Sequence, residues 1–248
     1  MSELFDALTA TVPPFSRRAA DDLPAIALNM VTSVDGATAL GGRVGRLTAA
    51  ADQELLRRLR EEADAVLVGA ATVRAEGYSA LLRPEARERR ERERGSAEPL
   101  LLVVSRDANL GPGSPALRAA PGPLVFLTSQ DAPLPEVERE VLAIRAATAA
   151  PGEPVVLRPL LERLRSEFGV ERVICEGGST LNATLFAERL VGEVFVTVSP
   201  LIAREPDSPP LVAGVDEPLE LSLLAHATAD DFAFLRYGVA FTPSRKHD

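Results

Sequence analysis

The sequence has very few of the residues on which several protein classes depend. It contains one cysteine, Cys175, two histidines, His226 and His247, and no tryptophan. A single cysteine excludes a disulfide within the chain and a zinc site built from several cysteines. Because the histidines lie far from each other and from the cysteine in metal-ligand spacing, we predict no metal. With no tryptophan and only two tyrosines, the chain also lacks the aromatic platforms of single-stranded nucleic-acid binders.

Long apolar runs and excess positive charge are also missing. No apolar segment approaches the ~20 residues of a transmembrane helix, and residues 1–18 lack the basic start and apolar stretch of a signal peptide. The formal net charge of −9 argues against a nucleic-acid surface, which needs clustered lysine and arginine. We therefore expect a cytoplasmic, soluble protein that binds neither nucleic acid nor membrane.

The chain does have enough apolar sequence for one large domain, since 46% of its 248 residues are hydrophobic. Apolar runs alternate with helical patterns up to about residue 198, and only strand patterns follow. This order predicts an α/β fold with a mostly parallel sheet, helices on both faces and an antiparallel edge. We expect a leader at residues 1–23 and a single domain at residues 24–248.

Periodicity and turn residues place the individual elements. Strands are predicted at 24–32, 64–69, 100–104, 124–127, 155–156, 172–175, 193–198, 219–227 and 231–241, and helices at 49–62, 70–76, 135–144, 160–168 and 179–188. Thr48 is predicted to cap the first of these helices and Gly169 to end the fourth. The Glu/Arg-rich segment 84–95 has nearly cancelling charge and is expected to form a solvated helix or a mobile loop.

The most informative segment begins where an apolar strand ends at Glu176. Gly177 and Gly178 allow a sharp turn and a close approach of the backbone to a ligand. Ser179 or Thr180 can cap the helix that follows, whose N-terminal amides form an anion site. Open α/β sheets bind ligands at the carboxyl ends of their strands. The segment therefore joins a phosphate cradle to a carboxylate.

Two further strand ends carry residues of the kind that bind ligands. The first end has Asn29, Ser33, Asp35 and Gly36, and the second has Gly69, Ala70, Thr72 and Val73. Each is an ordinary turn when taken alone. In a parallel sheet, however, the three ends converge on one edge. Together they predict a single ligand site.

Segments 30–39, 65–73 and 176–181 resemble, in order and approximate separation, the three motifs of the riboflavin-pathway pyrimidine reductases. The resemblance runs from about Pro24 to Phe241. It implies a dihydrofolate-reductase-like fold, which is a three-layer α/β sandwich with a mostly parallel central sheet and a C-terminal antiparallel hairpin. It also implies a homodimer and NADPH as the cofactor.

The reaction that this resemblance implies is reduction of the ribosylamino group of 5-amino-6-(5-phosphoribosylamino)uracil to a ribitylamino group. Asp35 and Glu176 are the implied catalytic residues. The implied cofactor-binding residues are Gly69, Thr72, Val73, Gly177, Gly178, Ser179 and Thr180, with Ser105 and Arg106 placed to bind the 2′-phosphate. The implied substrate-binding residues are Asn29, Ser33, Tyr78 and Arg83, and the partner is a phosphorylated pyrimidine or pterin-like small molecule.

The chain departs from the family after the second motif, where the family usually has an acidic pair, a proline and a later arginine. Glu76 replaces the first acid, Gly77 the second and Tyr78 the proline, whereas Arg83 keeps its place. These changes lie on the substrate side. Two alternatives therefore stay open: a pterin or dihydrofolate reductase, and a protein that binds NADPH without turnover. The retained acids of the first and third motifs favour an enzyme.

The zinc deaminase half of bifunctional relatives is not expected, because one cysteine cannot supply its ligand set. Cys175 lies within a predicted strand and is expected to be a core thiol. His226 is expected on the surface of an edge strand, and His247 in the tail.

Overall fold

The computed structural model describes residues 2–111, 113–118, 122–129, 131–137, 141–146, 155–214 and 218–240. The predicted positions His247 and Phe241 lie outside these residues. The strands are β1 (Ala25–Ser33), β2 (Ala65–Gly69), β3 (Leu100–Val104), β4 (Leu124–Ser129), β5 (Val141–Ala146), β6 (Arg172–Cys175), β7 (Glu193–Ser199), β8 (Leu221–Ala229) and β9 (Phe232–Val239). The helices are α1 (Ser2–Thr9), α2 (Ala50–Glu62), α3 (Ala70–Glu76), α4 (Pro84–Arg94), α5 (Pro115–Arg118), α6 (Arg158–Phe168) and α7 (Ser179–Ala187).

All of these strands join one sheet in the order β5-β4-β3-β2-β6-β1-β7-β9-β8. The strands from β5 to β7 are parallel, and β9 runs antiparallel to both β7 and β8. Strand β6 lies between β1 and β2, so that the chain inserts a late strand between two early ones. Such a switch in strand order opens a crevice at the carboxyl ends of the strands, and all three predicted motifs end there.

The sheet is covered on both faces, which explains the near-continuous apolar runs of its inner strands. On one face, Phe5 of α1 and Leu55 of α2 pack with Val66. On the other face, Leu164 of α6 and Leu185 of α7 pack with strand residues such as Leu28 and Leu67. The predicted fold class, with its antiparallel C-terminal strands, is confirmed.

Two predicted elements are wrong. Residues 135–137 have no regular structure, and residues 141–144, which were predicted to be helical, belong to β5, where Val141 pairs with Leu124 of β4. Pairing with a neighbouring strand decides the conformation of such a short segment more strongly than its own helix propensity. Residues 155–156 form no strand, although Val155 is buried in the core on the α6 side.

The helix ends also differ in part from the prediction. Thr48 does not cap α2, because the N-cap is Ala49. The Thr48 hydroxyl instead donates to the side chain of Asp52. Gly169 ends α6 with a left-handed backbone, as predicted. The segment 84–95 is helical, but not wholly solvated, because Arg90 is buried and donates to the carbonyl of Ala63.

The N-terminal segment is tied to the sheet by a buried ion pair. Nη2 of Arg236 on β9 lies 2.6 Å from Oε2 of Glu193 on β7. Arg236 also donates to the carbonyl oxygens of Leu8, at 3.0 Å, and Pro13, at 2.8 Å, and Glu193 accepts the amide of Ser16 at 3.0 Å. A buried ion pair is tolerated when its remaining donors and acceptors are satisfied, and here N-terminal backbone groups satisfy them. Helix α1 was not among the predicted elements.

Within the described residues, no helix is both long and apolar enough to span a membrane. The same part of the chain contains no cluster of three or more His, Cys, Asp or Glu side chains that could hold a metal ion. Cys175 is fully buried, and burial raises the pKa of its thiol to about 12. It is a core thiol, as expected.

Candidate active site

The carboxyl ends of β1, β2 and β6 meet at one edge of the sheet. The Glu176 amide donates to the Leu67 carbonyl at 3.0 Å, and the Gly69 amide donates to the Gly177 carbonyl at 3.1 Å. These bonds continue the β2–β6 pairing beyond the last strand residues and fix where Glu176 points. Its side chain contributes to the walls of two cavities, one of about 320 Å³ and one of about 1140 Å³.

Glu176 is buried in the smaller cavity by two partners that hold both of its carboxylate oxygens. Its side chain is only 5% exposed. Arg60 binds it in a bidentate manner, with Nε 2.6 Å from Oε1 and Nη2 2.6 Å from Oε2. The Tyr78 hydroxyl donates to Oε2, also at 2.6 Å. We call these three side chains the Glu176 cluster.

Burial and charge fix the protonation of Arg60 and Tyr78. Burial raises the pKa of the Tyr78 hydroxyl, and the neighbouring Glu176 carboxylate raises it further, so Tyr78 is a neutral donor. Burial by itself would lower the pKa of Arg60, but the charge and hydrogen bonds of Glu176, together with the interaction with Tyr78, outweigh this and raise it. The Glu176 cluster therefore presents to the cavity the remaining lone pairs of a carboxylate whose position is fixed by charge-assisted hydrogen bonds.

Helix α2 supplies one wall of the smaller cavity through a single row of side chains. Asp52, Leu56 and Arg60 lie four residues apart and share one helix face. The sequence did not indicate Arg60 or Asp52, because nothing local distinguishes them from the other charged residues of α2. Tyr78 enters the cavity because Gly77, with φ +70°, ends α3 in a left-handed turn.

The larger cavity has the features of a phosphate cradle. Gly177 and Gly178 have φ of +84° and +86°, and a Cβ at Gly178 would lie 3.0 Å from Oγ1 of Thr72. Neither Ser179 nor Thr180 caps α7, since the N-cap is Gly178 and no side chain caps it. The first amides of α7 are thus left for an anion.

A buried hydroxyl at the same place supports this interpretation. Oγ of Ser179 is buried and has no hydrogen-bond partner among the described residues. Gly69, Thr72, Gly178 and Thr180 line the same cavity. Backbone donors, glycines and an unpaired hydroxyl fit the pyrophosphate of a dinucleotide.

The predicted 2′-phosphate pair is only partly suited to that role. The Ser105 hydroxyl donates to Oδ1 of Asp107 at 2.9 Å, which lowers the pKa of Asp107. Its donor is therefore already engaged inside the protein. Arg106 is exposed and lines the larger cavity, and its guanidinium carries five N–H donors with which an arginine can bind a phosphate.

Asp35 and Ser33 line neither cavity. The Asp35 carboxylate accepts the Ser33 hydroxyl at 2.6 Å and the amides of Ala203 and Arg204, both at 2.9 Å. The Ser33 hydroxyl in turn accepts the amide of Ala37 at 2.9 Å. The first motif therefore holds together the loops that follow β1 and β7, and its oxygens are used within the protein.

Three other predicted residues also lie away from the cavities. Gly177 lines neither cavity, and a Cβ at this position would lie 2.6 Å from Sδ of Met30. Val73 is fully buried in the core on the α2 side. The Arg83 side chain is 60% exposed and lies 3.9 Å from Glu54. By contrast, Asn29, which was predicted to bind substrate, lines the smaller cavity.

Several residues of the larger cavity were missed. They are Met30, Arg74, Ser129 and Asp131. Ser129 and Asp131 follow the carboxyl end of a strand that was predicted, so the sheet-edge argument could have found them. Met30 begins the first motif, but it was not among the residues predicted to contact a ligand.

The fold is that of pyrimidine reductases with the dihydrofolate-reductase-like fold. A pyrimidine reductase-like protein from Corynebacterium diphtheriae superposes with a TM-score of 0.74 at 21% identity, over 96% of this chain and 99% of that one. The Saccharomyces cerevisiae riboflavin biosynthesis reductase superposes with a TM-score of 0.68 at 16% identity, over 96% and 98% of the two chains. These likenesses establish the fold.

The sequence establishes the family. Residues 24–231 match the RibD C-terminal domain, and the chain belongs to that family. Two curated relatives, from Methanothermobacter thermautotrophicus and Archaeoglobus fulgidus, are named 2,5-diamino-6-ribosylamino-4(3H)-pyrimidinone 5′-phosphate reductase. The first is 33% identical, over 78% of this chain and 87% of the relative, and the second is 32% identical, over 77% and 87%. The predicted family and the class of oxidoreductase are confirmed.

We predict that Asp35→Ala loosens the loop after β7. The Ser33 hydroxyl and the amides of Ala203 and Arg204 lower the pKa of Asp35 from 3.8 to about 2. The stabilisation that this shift represents is present above pH 3.8 and is lost as the pH falls through 2. Hydrogen exchange at neutral pH should show the two amides exchanging about tenfold faster in the variant.

Asp21→Ala, which removes another exposed carboxylate, is the control and should leave both amides unchanged. Unchanged exchange in Asp35→Ala together with lost turnover would contradict the structural role and support the catalytic role that the resemblance implied.

Proposed function

We propose that this protein is an NADPH-dependent reductase of 2,5-diamino-6-ribosylamino-4(3H)-pyrimidinone 5′-phosphate, the compound for which its curated relatives are named. The observation that supports this most directly is the Glu176 cluster, which lies where the two cavities meet. The larger cavity suits a dinucleotide, and the smaller one suits a flat, polar ring. The sequence resemblance had implied the corresponding uracil, which differs in carrying oxygen instead of an amino group at position 2. Neither relative is named for a pterin.

The proposed role of Glu176 follows from the charge that the reaction develops. Opening of the ribose ring breaks the bond between C1′ and the ring oxygen, which takes up a proton, and leaves a C1′=N double bond. Protonated, this imine carries positive charge, and the Glu176 carboxylate stabilises it electrostatically. Bound NADPH would supply the hydride that C1′ accepts. Because Arg60 and Tyr78 fix both oxygens of Glu176, little reorganisation is needed as the charge develops.

We predict that Glu176→Gln lowers kcat by about 10²-fold, because a neutral amide stabilises the cationic imine much less. NADPH oxidation should be followed by absorbance with the diaminopyrimidinone and the uracil substrates separately. The affinity for NADPH, measured by fluorescence titration, should be nearly unchanged.

Glu167→Gln is the matched control, since Glu167 pairs with Arg163 on the exposed face of α6, and it should keep the wild-type kcat. An unchanged kcat in Glu176→Gln would remove this residue from the mechanism. If the wild-type protein reduced neither pyrimidine, the proposed function itself would be wrong.

We also propose NADPH rather than NADH, with Arg106 binding the 2′-phosphate. We predict that Arg106→Ala raises the Kd for NADPH about tenfold and leaves the Kd for NADH nearly unchanged. Fluorescence titration with each nucleotide measures both values. Arg92→Ala, an exposed arginine on α4, is the control. Equal effects on the two nucleotides would assign Arg106 to another part of the cofactor.

We further propose that the protein forms a homodimer through the edge of β8. Within the described residues this strand pairs only with β9. Leu219 just before the strand and Leu221 and Leu223 at its start are 38%, 41% and 53% exposed. An unpaired edge with exposed leucines is a preferred contact surface. We predict a dimeric mass by light scattering that falls to the monomer in Leu223→Lys. A monomeric wild-type protein would contradict this.

A further inference from the structure

The smaller cavity contains two buried acceptors that the proposed mechanism does not use. Asp52 is 6% exposed, and its Oδ1 has no hydrogen-bond partner among the described residues. Oδ1 of Asn29 is buried and unpartnered in the same way. Both residues line the cavity that holds the Glu176 cluster. Because buried acceptors without partners are unfavourable, they point to a ligand that presents hydrogen-bond donors.

The free oxygen of Asp52 restricts which ligand groups the residue can bind. Its other oxygen, Oδ2, already accepts the Thr48 hydroxyl, so Oδ1 is the atom left for a ligand. An ionised carboxylate accepts hydrogen bonds but cannot donate them. The carboxamide of Asn29 can rotate to present either its oxygen or its NH₂ group. Asp52 is therefore the residue that distinguishes a donor from an acceptor on the ligand.

Asp52 and Arg60 lie at opposite ends of the row of side chains on α2, so Asp52 lies away from Glu176. Arg60 extends to Glu176, and Asp52 lies two turns earlier, about 12 Å along the helix axis. Leu56 between them lines the cavity and offers apolar surface to the face of a ring. A substrate whose C1′ lies by Glu176 can thus have the far edge of its pyrimidine near Asp52.

We propose that Asp52 accepts a hydrogen bond from the 2-amino group of the substrate and so selects the diaminopyrimidinone over the uracil. The two rings differ at position 2, where one carries an NH₂ donor and the other an oxygen acceptor. An oxygen facing Asp52 would meet a carboxylate without an intervening proton, which is repulsive. This inference rests on the proposed function, because it takes a pyrimidine as the ligand of the cavity.

The test is the substitution Asp52→Asn, because Thr48 determines which end of the new amide faces the cavity. The Thr48 hydroxyl can donate to the amide oxygen of Asn as it does to Asp52, which turns the NH₂ group toward the cavity. The variant thereby replaces an acceptor by a donor with little change of shape. We expect the wild-type ratio of kcat/KM, diaminopyrimidinone over uracil, to be about 10² and to fall to about 1 or below in the variant.

A binding experiment makes the result independent of turnover. The probes are 2,5,6-triaminopyrimidin-4(3H)-one and 5,6-diaminouracil, which differ in the group at position 2, and calorimetry measures their Kd for both proteins. The wild-type protein should prefer the triamino compound, and Asp52→Asn should lose or reverse the preference. Glu167→Gln, which changes an exposed carboxylate of α6 that lines neither cavity, is the control and should keep it. NADPH affinity reports that each variant is folded.

The outcomes separate this inference from the proposed function. Equal binding of the two probes to the wild-type protein, or an unchanged preference in Asp52→Asn, would overturn the role of Asp52. The expected preference without reduction of either phosphoribosyl compound would support Asp52 and overturn the proposed function.

Discussion

The bidentate pair between Arg60 and Glu176 is the interaction on which the rest of the site depends. A carboxylate with 5% of its side chain exposed needs an opposite charge close by, and helix α2 supplies it from the row that also carries Asp52. Tyr78 completes the arrangement from the turn after α3. The pair thus fixes α2 against the carboxyl end of β6. It also fixes the position of Glu176, which lines both cavities.

The sequence could predict the edge of the sheet where this pair lies, but not the pair itself. Strand ends are visible because glycines and polar residues interrupt apolar runs, as at Glu176 and Gly177. Arg60 lies 116 residues before Glu176 in the chain, and nothing local distinguishes it from the other arginines of α2. The same limit applies to Asp35, whose partners in the loop after β7 are 168 and 169 residues away.

The wrong helix prediction at 135–144 has a related cause. An edge strand such as β5 is defined by hydrogen bonds to its neighbour, and a short segment with mixed polar and apolar residues carries little period of its own. The N-terminal segment is likewise held by partners distant in the chain, namely the buried pair of Arg236 and Glu193. Its remaining partners are backbone groups of residues 8–17 and the hydroxyl of Ser16, which composition alone does not indicate.

The departures from the family around Tyr78 acquire a physical meaning from the cluster. A proline at that position could not donate to Glu176, whereas Tyr78 does so and stays neutral because burial and the carboxylate raise its pKa. Because Glu176 already holds Arg60, Asp52 two turns away has no cationic partner in that row. Its Oδ1 is left as a buried acceptor, and a ligand that donates there would satisfy it, which is the property by which a 2-amino pyrimidine differs from a uracil.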